Sequence, residues 1–242
     1  MPLQSFSNMS KLVEFNASVY AGSVSLMDIS YTTLSENIIP TGAMPIVSNT
    51  YDGVGRIVVG NTTSIPDSFL RRNRDIKSME IITQITSIGE FAFSGTSNLE
   101  YFKFGPVEEI KASAFSSSAL KKVETTNLKT IGINAFQFSE IQEAILGGTL
   151  TEIPRGIFDS TYNLKHVVLP ETLQIIRSGA FAYLDELLDI TCHAKVPPTV
   201  ERNAFFGVVE GFNIFVPAES VDAYKAAPGW SNFEYYIKPL NY

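Results

Sequence analysis

The sequence predicts an α/β-type repeat solenoid. Each coil carries one short parallel strand and a short convex segment, and a helix caps the C-terminal end. Three observations lead there. An aliphatic residue is followed five positions later by phenylalanine, usually with Ala just before it, at Ile88/Phe93, Ile110/Phe115, Ile131/Phe136, Ile153/Phe158, Ile176/Phe181 and Val200/Phe205, with Ile65/Leu70 as a weaker copy. The anchors 70, 93, 115, 136, 158, 181 and 205 are 23, 22, 21, 22, 23 and 24 residues apart. Self-similarity at such a period marks stacked repeats. Finally, the periodic part ends in a proline-bounded segment with helix start and stop signals.

Residues 1–55 repeat poorly. Phe6, Leu12, Phe15 and Ala17 share the spacing of Phe93, Leu99, Phe102 and Phe104, and Tyr20, Leu26, Ile29 and Tyr31 repeat it again. These are expected to be repeat fragments, followed by an insertion loop over 35–55 rich in turn formers such as Pro40, Gly42, Pro45, Gly53 and Gly55. End repeats of solenoids are commonly atypical.

Over 56–216 the register is regular. Each anchor is followed by an aliphatic residue, an apolar one three further on and another two beyond: Ile76, Met79, Ile81; Leu99, Phe102, Phe104; Leu120, Val123, Thr125; Ile141, Ala144, Leu146; Leu164, Val167, Leu169; Leu187, Ile190, Cys192. The closing alternation is the period of a strand with one buried face. One strand per coil, with no hairpin turn between copies, implies parallel strands side by side. Gly105-Pro106, Gly147-Gly148 and Pro170 then turn the chain. The Ala-Phe segment follows on the opposite side, where Ala lets backbones approach and the Phe rings form an interior spine. These segments are short and rich in Ser and Gly, as at Ser113 and Ser116 to Ser118, so 3-10 or irregular turns are expected rather than long helices.

Residues 217–242 form the expected cap. Pro217 suits a helix start, Glu219 and Asp222 its first turn, and Pro228-Gly229 its end. Val221, Tyr224 and Trp230 are expected to lie over the last coil.

The repeat aliphatic-Gly-x-x-Ala-Phe, followed by Leu-x-x-apolar-x-apolar, resembles the BspA-type leucine-rich repeats. The ending Val216-Pro217-Ala218-Glu219-Ser220-Val221-Asp222-Ala223-Tyr224-Lys225-Ala226-Ala227-Pro228-Gly229-Trp230 is similar to the closing segment of many such proteins. The resemblance covers residues 56–230. It implies a right-handed coil with a parallel sheet on the concave face. It also implies a surface or secreted bacterial protein used in adhesion. One departure is that the Cys often found after Ala-Phe in the family is absent here.

Composition narrows the function. The formal charge is −7, and Arg71-Arg72-Asn73-Arg74 is the densest basic stretch. A nucleic-acid partner needs a broader basic surface, so none is expected. No apolar run is long enough for a membrane span. The single cysteine, Cys192, excludes an intrachain disulfide and a Cys-based zinc site. No secretory signal is visible. The repeat spacing already runs at Phe6, so the chain is expected to be trimmed, and an extracellular or cell-surface location is expected.

The residue types for catalysis are sparse, and no enzyme activity, catalytic residue, cofactor or metal is expected. His166 and His193 are the two histidines. Cys192 and His193 are adjacent on a strand and point to opposite faces, so they cannot pair as nucleophile and base. The concave sheet is the candidate binding face. Its outward positions include Tyr101, Lys103, Lys122, Glu124, Glu143, Ile145, His166 and Val168. This mixed, slightly apolar surface suits a protein or peptide partner. A glycan is the alternative ligand, although only Tyr101 supplies an aromatic platform. A structural spacer displaying another domain is the alternative role.

Overall fold

A computed structural model describes residues 63–74, 76–81 and 85–240, together with the backbone of the strands at 15–16, 28–29, 46–48 and 56–59. Phe15–Asn16 pairs antiparallel with Asp28–Ile29, and Ile46–Ser48 antiparallel with Arg56–Val59. The rest of residues 1–55, including the insertion loop expected there, lies outside the described residues.

From Arg56 onward the chain is a parallel-strand solenoid of about seven turns with a short C-terminal helix. The concave strands are Arg56–Val59, Ser78–Ile81, Tyr101–Phe102, Lys122–Thr125, Glu143–Leu146, His166–Leu169, Asp189–Cys192 and Asn213–Val216. Their alternation is as expected. Val123, Ala144, Val167 and Ile190 point inward and are fully buried, while the residues on either side of each face out.

Each coil also contains a second, two-residue strand that the sequence reading does not resolve. It is built on the aliphatic residue of the motif: Ser64–Ile65, Ser87–Ile88, Glu109–Ile110, Thr130–Ile131, Glu152–Ile153, Ile175–Ile176 and Thr199–Val200. Both ladders are parallel and both are interrupted once. The concave ladder breaks between Tyr101–Phe102 and Lys122–Thr125. The second ladder breaks one coil later, between Thr130–Ile131 and Glu152–Ile153.

The convex segments are turns with a regular backbone. Two residues per coil, four apart, have positive φ: Phe91 and Gly95, Ser113 and Ser117, Asn134 and Phe138, Gly156 and Ser160, Gly179 and Tyr183, Asn203 and Gly207. Alternate N–H groups donate to the next coil, as from Phe91 to Ala112 O at 3.1 Å, Phe93 to Ala114 O at 2.7 Å and Gly95 to Ser116 O at 2.8 Å. The N–H groups between them close three-residue turns, as from Ser94 to Phe91 O at 3.1 Å. Every second group therefore serves the stack and the others serve the local turn, which satisfies the buried backbone. An L side chain at positive φ costs about 1–2 kcal/mol. Glycine or Asn relieves that cost at six of these twelve positions; Ser113, Ser117, Ser160, Phe91, Phe138 and Tyr183 bear it.

The interior is the expected phenylalanine spine. Phe93, Phe115, Phe136, Phe158 and Phe181 are fully buried and Phe205 nearly so. Successive ring centroids are 5.0, 5.6, 5.6, 5.9 and 5.2 Å apart, with the rings 10° to 22° from parallel. Phe69 meets Phe93 edge-on at 6.2 Å and closes the ring column at its start. Ala92, Ala114, Ala135, Ala180 and Ala204 are buried beside the rings, and Ile157 takes that place in one coil. A column of polar side chains lies next to them: Thr96 Oγ1 donates to Phe93 O at 2.7 Å, Ser139 Oγ to Phe136 O at 2.6 Å and Thr161 Oγ1 to Phe136 O at 2.9 Å. The hydroxyls bind spine carbonyls and are satisfied without water.

The cap begins as expected after Pro217, with a 3-10 turn at Ala218–Ser220 and a helix at Val221–Ala226. Tyr224 and Trp230 are fully buried over the last coils. Tyr224 Oη donates to Ala194 O at 2.8 Å, and Trp230 Nε1 to Pro198 O at 2.7 Å. Gly229 has φ of +84°, and a Cβ there would lie 2.8 Å from Val200 Cβ, so glycine is required where the cap meets the coil. A final strand, Ile237–Pro239, pairs parallel with Asn213–Val216. Pro239 has no N–H to offer on that edge.

Charges on successive coils also pair. Arg177 bridges Glu152 at 2.9 Å and Glu201 at 2.8 Å, linking three coils. Hydrogen bonds to Glu152 and Glu201 raise the Arg177 pKa. The Arg177 guanidinium, and then the Ser178 N–H, hold the Glu201 carboxyl below the ordinary carboxylate value. A depressed carboxyl pKa contributes stability that is present above the unfolded value of about 4.3 and lost as pH falls through the folded value. Calorimetry should therefore show Glu201→Gln melting below the wild type near neutral pH and matching it at about pH 2. A gap that persists in acid would mean the loss is one of packing. For the spine, Phe136→Ala should reduce the unfolding free energy in denaturant by about 3–5 kcal/mol, with the loss shared by adjacent coils. An unchanged denaturation midpoint would show that the ring column does not hold the stack.

Candidate functional site

The concave sheet sets out its side chains in rows because the parallel strands are in register. Lys122, Glu143, His166, Asp189 and Asn213 are backbone neighbours in one row. Glu124, Ile145, Val168, Thr191 and Phe215 form the next row, which continues to Lys238. Adjacent members of a row are one strand spacing apart, about 4.8 Å.

The polar side chains of the first row are paired. Lys122 Nζ lies 3.1 Å from Glu124 and 3.3 Å from Glu143. Hydrogen bonds to Glu124 and then Glu143 raise the Lys122 pKa. His166 Nδ1 lies 2.8 Å from Asp189 Oδ2. Lys238 Nζ donates to Asn213 Oδ1 at 2.6 Å. Each charge has a partner within the face, but carboxylates are in excess: Lys122 serves both Glu124 and Glu143, and the partner of Asp189 is a histidine, so this stretch is acidic on balance. Exposed pairs of this kind contribute little stability each; their effect is on what the face attracts.

The second row is apolar over its C-terminal half. Ile145, Val168, Thr191 and Phe215 are consecutive, all half-exposed, and run across four strands. Ile145 and Val168 are among the expected site residues. Phe215 is not, because the repeat spacing breaks just before it: Gly211 occupies the place that Leu187 holds one coil earlier. The strand register, which sequence spacing does not contain, is what brings Phe215 into the row.

Tyr101 and Lys103 are both exposed, as expected, with Tyr101 at 56%. They stand apart from the other expected residues because the concave ladder is broken after Tyr101–Phe102. One backbone bond, from Lys121 N–H to Glu100 O at 3.1 Å, bridges the gap. Phe102 and Phe104 place two rings, 4.8 Å apart, where the next coil has Val123 and Thr125. Tyr101 therefore borders the six-stranded part of the sheet that carries Lys122, Glu124, Glu143, Ile145, His166 and Val168.

The adjacent Cys192 and His193 face apart, as strand geometry requires. Cys192 is buried, and burial raises its thiol pKa, against a 3.2 Å hydrogen bond from Tyr224 Oη. His193 is half-buried in an open lateral groove of about 430 Å³ with Gly148, Pro170, Glu171, Lys195, Pro217 and Glu219. In that groove Lys195 lies 3.1 Å from Glu219. Among the described residues no helix is long and apolar enough to cross a membrane.

No curated protein matches this chain significantly. Among solved structures, the pneumococcal vaccine antigen PcpA is 16% identical, with 86% of this chain and 44% of that one covered and a TM-score of 0.47. A leucine-rich repeat protein from Eubacterium ventriosum is 18% identical, with 70% and 63% covered and a TM-score of 0.48. The leucine-rich repeat protein of T. pallidum is 20% identical, with 63% and 70% covered and a TM-score of 0.40. The chain thus spans less than half the length of the pneumococcal antigen. The family model for the BspA type leucine rich repeat region matches residues 63–188 in six copies. Those copies contain the aliphatic-to-Phe motif from Ile65 to Phe181, and the chain belongs to the BspA-type leucine-rich repeat family.

Proposed function

We propose that this chain is a non-enzymatic interaction module that binds a protein or peptide through its concave sheet, outside the cell or at the bacterial surface. Leucine-rich repeat proteins typically mediate protein interaction, and membership of this family supports surface display. The observation that carries the reading is the apolar row Ile145, Val168, Thr191 and Phe215. These side chains point away from the ring column and remain half-exposed. Their row lies beside Glu143, His166 and Asp189, which are held in pairs within the face. The arrangement favours a partner with an apolar strip and polar flanks over a highly charged one. Tyr101 and Lys103 mark the N-terminal border of the face, and Lys122, Glu124 and Glu143 its charged middle.

The test is capture of partners from bacterial and host surface extracts on immobilised protein. Val168→Glu combined with Phe215→Ser is expected to weaken capture about tenfold, which corresponds to about 1.4 kcal/mol. Tyr101→Ala combined with His166→Ala is expected to weaken it several-fold. Both pairs of sites are solvent-facing, and unchanged circular dichroism would confirm the fold. Binding untouched by both pairs would remove the concave face from the function.

A further inference from the structure

The convex side has a feature that folding alone does not explain. One column of positive-φ residues runs Arg72, Gly95, Ser117, Phe138, Ser160, Tyr183 and Gly207. Its coils are joined by N–H bonds from Phe138 to Asp159 O, Ser160 to Ala182 O and Tyr183 to Phe206 O. Phe138 and Tyr183 are bulky aromatics in a backbone region that L side chains avoid, at φ of 56° and 54°. They are also 52% and 46% exposed. The left-handed backbone belongs to the coil and recurs in every turn, but coil packing does not require exposed aromatic rings on it.

The rings are presented in a defined way. A Cβ added to Gly207 would lie 2.9 Å from Tyr183 Cδ1, so the glycine makes a seat for that ring. Phe206 meets Tyr183 edge-on at 5.4 Å and braces it. Ser160, small and buried, separates Tyr183 from Phe138. The two aromatics therefore stand two coils apart, about 10 Å, with a notch between them. Among the described residues Phe138 has no aromatic neighbour.

The surroundings indicate what the rings accept. Asp159 immediately precedes Ser160 and accepts hydrogen bonds from Gln137 Nε2 at 2.9 Å and Ser160 Oγ at 3.0 Å. Asp185 follows Tyr183 and has no ion pair among the described residues. Arg155 and Arg202 sit at the other end of their segments, just before Gly156 and Asn203. The molecule also contains a precedent. Phe91 is the third aromatic at positive φ, and there Arg71 places its guanidinium carbon 4.7 Å from the ring centroid. Guanidinium groups favour aromatic faces, and nearby carboxylates strengthen the attraction.

We propose that Phe138 and Tyr183 form a two-ring platform that binds arginine side chains of an extended basic segment in a partner protein. In polyproline II conformation, arginines three residues apart project from one face with a separation of about 9 Å, which matches the rings. Asp159 and Asp185 supply the opposing charge.

The test uses a dye-labelled peptide of repeated Arg-Pro-Pro units and its glutamine counterpart, followed by fluorescence anisotropy near physiological salt. The wild type is expected to prefer the arginine peptide by about tenfold. Two double variants keep the net charge. Phe138→Leu with Tyr183→Leu retains apolar bulk, and Phe138→Gly with Tyr183→Gly suits the positive φ and therefore folds. Both are expected to lose the preference. The proposal is overturned if the wild type shows no preference, or if the leucine pair keeps it, since charge alone would then suffice. Equal binding of both peptides would indicate an apolar occupant. Ring-dependent dimers in sedimentation would indicate a second copy of this chain. Either result also overturns the proposal.

Discussion

The contact between consecutive phenylalanine rings sets the terms for the rest of the structure. From Phe93 to Phe205 the centroids are never more than 5.9 Å apart. Rings that close require backbones that close, which explains the small buried residue at Ala92, Ala114, Ala135, Ala180 and Ala204. It also requires the convex chain to bend around each ring within a few residues. The paired positive-φ positions make that bend while alternate N–H groups still reach the next coil. Spine, small residue and left-handed turn are thus one solution to one packing problem, repeated in each coil.

Because the chemistry of the stack points inward, the outer surfaces are free to vary. The two faces use that freedom differently. On the concave side Lys122 pairs with Glu124 and Glu143, and His166 with Asp189, and an apolar row lies beside them. On the edges, Arg177 with Glu152 and Glu201 ties coil to coil. On the convex side, Phe138 and Tyr183 hold exposed rings on strained backbone. A chain of this construction keeps its interior constant while its outer faces vary from coil to coil.

The sequence shows the interior of the fold most clearly. Phe136 and its copies are legible because a ring of one size must recur at one spacing, and the strand sets are legible because burial alternates. The cap is legible from Pro217, Glu219 and Pro228-Gly229. The second strand of each coil is not, since two residues such as Glu109–Ile110 carry too little alternation to be recognised. The left-handed positions are also hidden. Ser113, Asn134, Phe138 and Gly179 share a backbone conformation without sharing a side chain, and only the glycines announce it. Of the candidate site, Ile145 and Val168 could be read from strand alternation. Phe215 could not, because Gly211 and Phe212 disturb the spacing just ahead of it. The separation of Tyr101 from the six-stranded sheet depends on how Phe102 and Phe104 fill one coil, a matter of ring volume and not of pattern.

The two ladder interruptions fall one coil apart. Where the concave strands part, after Tyr101–Phe102, the second ladder still joins Glu109–Ile110 to Thr130–Ile131. Where that ladder parts in turn, Lys122–Thr125 is fully paired with Glu143–Leu146. The Phe136 N–H bond to Ile157 O at 3.0 Å, with the ring stack behind it, spans the second gap. The joints are staggered as in coursed masonry, and no single plane across the rod crosses both. At each of the two boundaries one ladder therefore stays paired while the other is interrupted.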